Sequence, residues 1–406
     1  MMLSRRTVLG AAVLGPVFWR AADAASVTQE TGPYGALGEP DASGLRLPEG
    51  FTSRVIGVNG TAVAGTGYVW HVFPDGGATF PMDDGGWVYV SNSESVPGGV
   101  GAVQFDAAGE IVDAYRILDG TRRNCAGGPT PWGTWLSCEE VDDGHVYECR
   151  VDGPGQGEVR PGLGSFRHEA AAVDPDRERI YLTQDTPDGR LWRFTPTSYP
   201  DLGDGELEVA AVSGEAVTWV ADPAGGTAFN GGEGAWYDAG RLYFTTKGDN
   251  RVWVLECATD RLEVLYDGSG PLRGVDNVTV APSGDLYVAE DGDDMELVLI
   301  TERGASTPIA QVVRQGHGGS EVTGPAFSPD GTRLYFSSQR GPEGGVTFEV
   351  TGPFEHPAAE PTVGVAEGGS ESDDGLPLLP VAGGAAAVAV AAVGGVVAVR
   401  RRRAGE

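Results

Sequence analysis

The chain has 406 residues, of which 64 are Gly, 27 are Pro and 40% are hydrophobic, enough for one large all-β domain or two ordinary domains. Its formal net charge is −30, and Lys is almost absent, so Arg carries nearly all the positive charge. Nucleic-acid binding needs a basic footprint and is excluded; such a surface suits cation binding and solubility in a salty exterior.

The chain opens on "MMLSRRTVLGAAVLGPVFWRAADAAS". Arg5 and Arg6 precede a short apolar run, Thr7 to Trp19, and then Ala22-Asp23-Ala24, an A-x-A cleavage pattern. Residues 1–24 therefore read as a twin-arginine export signal, with an ordinary secretory signal as the alternative. The twin-arginine route carries folded proteins, often with a cofactor already loaded. Residues 25–48 are a lead-in to the folded domain.

From residue 49 to residue 352 one short pattern recurs. An aromatic within an apolar strand is followed by a small hydroxyl residue (once Ala) and then by polar or acidic residues. The copies are "GGWVYVSNSE", "GTWLSCEE", "ERIYLTQD", "GRLYFTTKGD", "GDLYVAEDGD" and "TRLYFSSQRG". Their anchors are Tyr89, Trp135, Tyr181, Tyr243, Tyr287 and Tyr335, spaced by 46, 46, 62, 44 and 48 residues. Runs of β-branched and aromatic residues bounded by Gly and Asp are strands. A period in the mid-forties holds the four short strands of one propeller blade. The spacing predicts an all-β fold, a six-bladed β-propeller, with the aromatic anchors in its core.

Some 10 to 14 residues before each anchor stands one distinctive residue: Asp75, Cys125, Glu169, Glu233, Asp276 and Glu321. Each lies where a loop enters the strand before the anchor strand, so all six are expected to converge on the central channel. Like charges gathered in a low-dielectric pocket need cations to neutralise them. Oxygen ligands in this number suit Ca²⁺, whereas a thiolate among them favours a transition metal such as iron or zinc. Glu139, Glu140, Asp185, Glu290 and Asp291, just beyond the anchors, are candidates for an outer shell, as are Asn92, Glu94 and Asn277. For any single acid beside Gly, a plain turn residue is the competing reading; for Cys125 it is a small buried hydrophobe. His168 and His317 lie next to or near ring carboxylates and read as ligand, phosphate donor or packed bystander. Arg273 is the best-placed cation for an anionic substrate, with a structural pairing to Asp276 as the alternative.

Four cysteines, Cys125, Cys138, Cys149 and Cys257, are too few for a disulfide scaffold, although Cys138 and Cys149 could bridge neighbouring strands. Residues 353–375 form an acidic linker of disordered composition. Residues 376–399 follow as a membrane anchor, in which Val381 to Val399 is uncharged and long enough for the hydrocarbon core. The basic tail, 400–406, starts with Arg400 to Arg403 and fits the positive-inside rule. A cleaved sorting tail is the alternative. The expected location is the outer face of the cell membrane, reached by the twin-arginine route. The sequence carries no strong sign of an oligomer interface, which favours a monomer.

"NCAGGPTPWGTWLSCEE", followed in order by "RHEAAAVDP", "GGEGAWYD", "DNVTVAPSGDLYVAEDG" and "EVTGPAFSPDGTRLYFSSQ", resembles the PhoX-type alkaline phosphatase family over nearly the whole propeller. The resemblance implies a six-bladed propeller that hydrolyses phosphate esters with two ferric ions (Fe³⁺) and several Ca²⁺. Cys125 matches the iron-bridging thiolate, Glu169, Glu233 and Asp276 match ring carboxylates, and Glu140 matches an acid after the cysteine motif. Cys125, Glu169, Glu233, His168 and Arg273 are then the candidate catalytic residues. The metal ligands would be Cys125, Glu140, Glu169, Glu233, Asp276, Glu321, Asp75, Glu139, Glu290 and Asp291, and the substrate a small phosphate ester. Two departures stand out. The family's active phosphatases carry a phosphate-gripping Arg two residues before the Glu that matches Glu233, where this chain has Gly231. The family's Asn-His-Glu in the first blade is here Asn92-Ser93-Glu94. A Ca²⁺-dependent lactonase or diesterase, or a binding propeller pinned by metals, are the competing functions.

Overall fold

A computed structural model describes residues 32–292, 294–301 and 304–354. The expected export signal, membrane anchor and basic tail, and the linker beyond residue 354, lie outside the described residues. Among the described residues, no helix is long and apolar enough to cross a membrane.

Six inner strands surround one axis: Pro74–Pro81, Asn124–Pro129, His168–Asp174, Gly232–Asp238, Val275–Val280 and Val322–Phe327. Each touches the next in chain order, and the last touches the first. Each pairs antiparallel with a strand that carries one of the aromatic anchors. Those anchor strands are Trp87–Ser93, Thr134–Glu139, Arg179–Gln184, Arg241–Thr246, Leu286–Glu290 and Arg333–Ser338. The architecture is an all-β propeller. The described strands form five sheets, three of four strands, one of five and one of nine. The nine-stranded sheet begins on inner strand His168–Asp174 and ends on inner strand Gly232–Asp238.

Anchor strands are covered on both faces by neighbouring sheets, which is why they lack a clean polar–apolar alternation. Trp87–Ser93 is buried at every position. All six anchor aromatics are buried in the layers between sheets. At the seam between first and last sheets, Tyr89 stacks on Tyr335 with ring centroids 4.8 Å apart, and Trp87 Nε1 donates to Tyr335 Oη at 3.0 Å. The ring closes through strand Thr52–Val58, which pairs with Val346–Thr351 as the outermost strand of the last sheet.

The inner strands approach so closely that side chains are excluded at contact points. A Cβ on Gly128 would lie 1.7 Å from Ala171 O, in the neighbouring inner strand. Gly127 and Gly128 of the cysteine motif thus serve close backbone approach between strands.

All four cysteines are free and buried, so the possible Cys138–Cys149 bridge is not formed. Cys149 pairs with Trp135 and Cys138 with Val146 across the same ladder. The two thiols enter different core clusters on opposite faces of that sheet.

Candidate metal centre

The ladder slips at one place in every inner strand, and that slip delivers the site residues. Register shifts between Pro74 and Gly77, Asn124 and Gly127, His168 and Ala171, Gly232 and Ala235, and Val275 and Val278. Asp75, Cys125, Glu169, Glu233 and Asp276 sit in these bulges, released from strand pairing and aimed at the axis. In the sixth strand the shift falls between Thr323 and Ala326, which puts Gly324 at the matching place. Glu321 was expected there; it enters from just before the strand instead.

A bulge strands backbone carbonyls that need donors. The small hydroxyl residue after the anchor supplies them to the next inner strand. Thr183 Oγ1 donates to Glu233 O and Thr245 Oγ1 to Asp276 O, both at 2.5 Å. Asn92 Nδ2 does the same for Cys125 O at 3.0 Å and Ala126 O at 2.7 Å, while its Oδ1 accepts from Trp135 Nε1 and Ser137 Oγ. Asn92 is therefore framework between the first two sheets. Asn277 Nδ2 donates to Asp276 Oδ1 at 2.9 Å and orients that carboxylate.

Among the described residues three groups of potential ligands result, each with its ligand atoms within 4.8 Å of one another: Cys125, Glu140 and Glu169; Glu169, Glu233 and Asp276; Asp276, Asp291 and Glu321. Glu169 and Asp276 belong to two groups each, so the three form one continuous chain of sites. Neither oxygen of Glu169 has a hydrogen-bond partner, although the residue is 0% exposed. A carboxylate buried without a partner is a severe desolvation cost unless a proton or a cation meets it. The donor sets discriminate between ions. Thiolate with two carboxylates suits a transition metal, and the all-carboxylate groups suit a hard cation such as Ca²⁺.

Electrostatics give the same requirement. Burial, followed by repulsion from neighbouring carboxylates, raises Asp75, Glu169 and Glu233 well above the carboxylate range. Burial and then Asp75 and Glu169 raise the Cys125 thiol. Burial and then Asp185 bring Glu140 to about 8. Without metal the centre holds protons; with metal it would release them.

Asp75 is linked to Cys125, whose Sγ is 3.5 Å from its Oδ2, and to Gln339, whose Nε2 donates to Asp75 and to Glu94. Other expected residues stand elsewhere. Glu139 accepts from the backbone N–H groups of Arg122 and His145. Glu290 accepts from those of Arg273 and Glu296. Each thus caps a loop and lies in none of the three groups. The Arg273 guanidinium donates through Nη1 to the carbonyls of Gly268 and Gly270 rather than to Asp276. His168 is buried against Phe166 with Nε2 beside Gly164 O, and burial lowers its pKa to about 3. His317 is held between Ser338 Oγ and Glu343 Oε2. Both histidines are packed residues.

Sequence reasoning missed the cations of the centre. Arg123 Nη2 lies 3.5 Å and Arg340 Nη2 3.3 Å from the two oxygens of Glu94, and Arg340 also meets Glu321. Arg167 Nη1 is 3.0 Å from Glu140. Lys247 Nζ lies among Glu233, Asp276 and Asp291. Lys247 follows its anchor strand directly, the place where other copies offered acids, and Arg340 stands one residue beyond the matching place; for these two that position was the available signal.

Fold and site together define a propeller with a buried thiol-and-carboxylate centre at its axis. The alkaline phosphatase PhoX family model matches residues 106–160, 144–251 and 255–341. That is more than half of the chain, which belongs to the PhoX alkaline phosphatase family, a metal-dependent one. Among solved structures, the chain is similar to Pseudomonas fluorescens PhoX in complex with vanadate, a transition-state analogue. The TM-score is 0.67 at 16% identity, over 78% of this chain and 97% of that one. It is also similar to a gluconolactonase from Xanthomonas campestris, with TM-score 0.50, 14% identity, and 78% and 98% of the two chains covered. At these identities both likenesses speak to fold alone. No curated protein matches.

Proposed function

We propose that the protein is an exported, metal-dependent phosphatase that hydrolyses phosphate monoesters at the axial centre. The observation that carries this reading is Glu169, shared by the thiol group and a carboxylate group and left with two unpartnered, fully buried oxygens. Cys125, Glu140 and Glu169 would hold iron, and Glu169, Glu233, Asp276, Asp291 and Glu321 would hold calcium. Hard cations there would neutralise phosphate charge and act as Lewis acids.

The protein's own part is to bind and orient the ester. Gly231 offers no guanidinium, and Arg273 and His168 are committed elsewhere. Arg123 and Arg340, nearly half-exposed and both held on Glu94, are the groups that can meet a phosphate. Planar guanidiniums bind phosphate oxygens in pairs and so fix its orientation. Gln339, by holding Asp75 and Glu94 together, keeps that pair of arginines next to the ring.

We read the nine-stranded sheet as two blades joined at the single Ala216–Arg261 pair, which brings the count to six, one for each sequence repeat. The Arg5-Arg6 leader and the Val381–Val399 segment would place this propeller on the outer face of the membrane. The test is hydrolysis of p-nitrophenyl phosphate by protein purified with its metals. Activity lost on chelation, restored by calcium and iron, and reduced at least tenfold by Arg340→Ala supports the reading. Absence of hydrolysis in the metal-loaded protein overturns it.

A further inference from the structure

Of the 28 Lys and Arg residues in this chain one alone is Lys, and it is Lys247. Everywhere else, including the rim of the centre at Arg123, Arg167 and Arg340, positive charge is carried by Arg. The single lysine occupies a singular position. Strand Arg241–Thr246 ends, and Lys247 opens a one-turn 3-10 segment, Lys247–Asp249. Its backbone N–H donates to Gly231 O at 2.8 Å, and that of Gly248 to Asn230 O at 3.0 Å, so the turn is tied to the loop before the fourth inner strand.

From this turn Nζ reaches 3.3 Å from Glu233 Oε1, 3.2 Å from Asp276 Oδ2 and 3.0 Å from Asp291 Oδ2. An ammonium has three N–H donors, and three carboxylates take all of them. Those carboxylates are drawn from both all-oxygen groups of the centre. Glu233 and Asp276 belong with Glu169, and Asp276 and Asp291 belong with Glu321. The ammonium therefore holds two of the three ligands in each group. Glu169, unpartnered and fully buried, points into the same cluster and marks where a cation is still wanted. Residue type fits position. An ammonium is a compact point charge with rotatable donors, the nearest a side chain comes to a bound ion, whereas a guanidinium is a wide planar fork.

We propose that Lys247 is a tethered cation standing in the place of one divalent ion. Its ammonium fills the position between Glu233, Asp276 and Asp291, and the centre takes one metal fewer than its carboxylates would otherwise hold. The thiol group, which Lys247 does not touch, keeps its metal. This rests on the metal-centre reading given above.

The experiment counts divalent ions per chain, by elemental analysis and by calorimetric calcium titration, in wild type, Lys247→Met and Lys247→Arg. Because Lys247 is the sole lysine, ¹⁵N-lysine labelling adds one Nζ resonance that reports on it directly. We expect about one additional Ca²⁺ per chain in Lys247→Met, the wild-type count in Lys247→Arg, and a wild-type Nζ resonance that calcium does not move. An equal count in wild type and Lys247→Met, or an Nζ resonance that shifts as calcium loads, overturns the proposal. A Met variant that folds only with calcium also supports it, since the ion then replaces the ammonium. If that variant does not fold at all, the wild-type resonance decides. A wild type that binds no metal would sink the metal-centre reading instead.

Discussion

At the scale of single residues, Glu169 and Gly231 make the sharpest predictions. Glu169 belongs to two ligand groups and has no other partner, so Glu169→Gln removes a ligand charge from both. Metal affinity is expected to fall by about 10–100-fold or more, read by calorimetric titration, while the metal-free variant gains stability at neutral pH because folding no longer has to protonate a buried carboxyl. Gly231 has φ +67°. Restoring the family's Arg there puts a side chain on left-handed backbone at a cost of about 1–2 kcal/mol, measurable as a lowered urea midpoint with unchanged slope. A Gly231→Arg protein as stable as wild type would contradict that placement. What the sequence disclosed at this scale follows from one rule. A distinctive residue some 10 to 14 positions before each aromatic anchor could be found by scanning, and so Asp75, Cys125, Glu169, Glu233 and Asp276 could be. Which way an acid's carboxylate turns could not. Glu139 and Glu290 look like Glu140 and Asp291 on paper, yet backbone N–H groups hold them.

At the scale of elements, the bulge is the device that builds the centre. An extra residue in each inner strand breaks the alternation that would otherwise send Cys125 and its counterparts into pairing, and hydroxyls of the preceding anchor strand satisfy exposed carbonyls. Thr245→Val keeps shape and removes the donor to Asp276 O. It should cost about 1–3 kcal/mol, the price of a buried acceptor left unpaired, seen in urea unfolding, and should weaken metal binding through a displaced Asp276. A loss of stability without any change in metal binding would mean the bulge holds its shape unaided. The hydroxyl after each anchor was visible in the repeat. Its partner, a carbonyl dozens of residues away, was not, because bulge geometry depends on the neighbouring sheet. The same limit applies to Gly324, whose equivalence to Asp75 follows from ladder register, whereas counting from Tyr335 selected Glu321.

At the scale of the whole molecule, a net charge of −30 and a ring of buried acids couple stability to pH and to cations. In the metal-free fold Glu140 and Glu321 are both brought to about 8, the first by burial and then Asp185, the second by burial and then Asp276 and Asp291. Unfolded Glu titrates near 4.3. The fold therefore keeps protons that the unfolded chain has already lost, and that contribution to stability disappears as pH rises through about 8. Metal-stripped protein should melt at a clearly lower temperature at pH 9 than at pH 6, and calcium should remove most of the difference. A melting temperature that rises over this interval without metal would contradict the assignment. The propeller itself was legible from its period, since each repeat writes the same strand around its aromatic anchor. The closure by Thr52–Val58 was not, because an outer strand is partly exposed and carries no anchor.

The measurement that bears most directly on the account is metal content, by elemental analysis of natively exported protein, for wild type and Cys125→Ala. Iron together with calcium in the wild type, and iron lost while calcium stays in the variant, is the result predicted by a thiol group and carboxylate groups joined at Glu169. Calcium alone, unchanged by the substitution, would make Cys125 a buried structural thiol and contradict the iron centre.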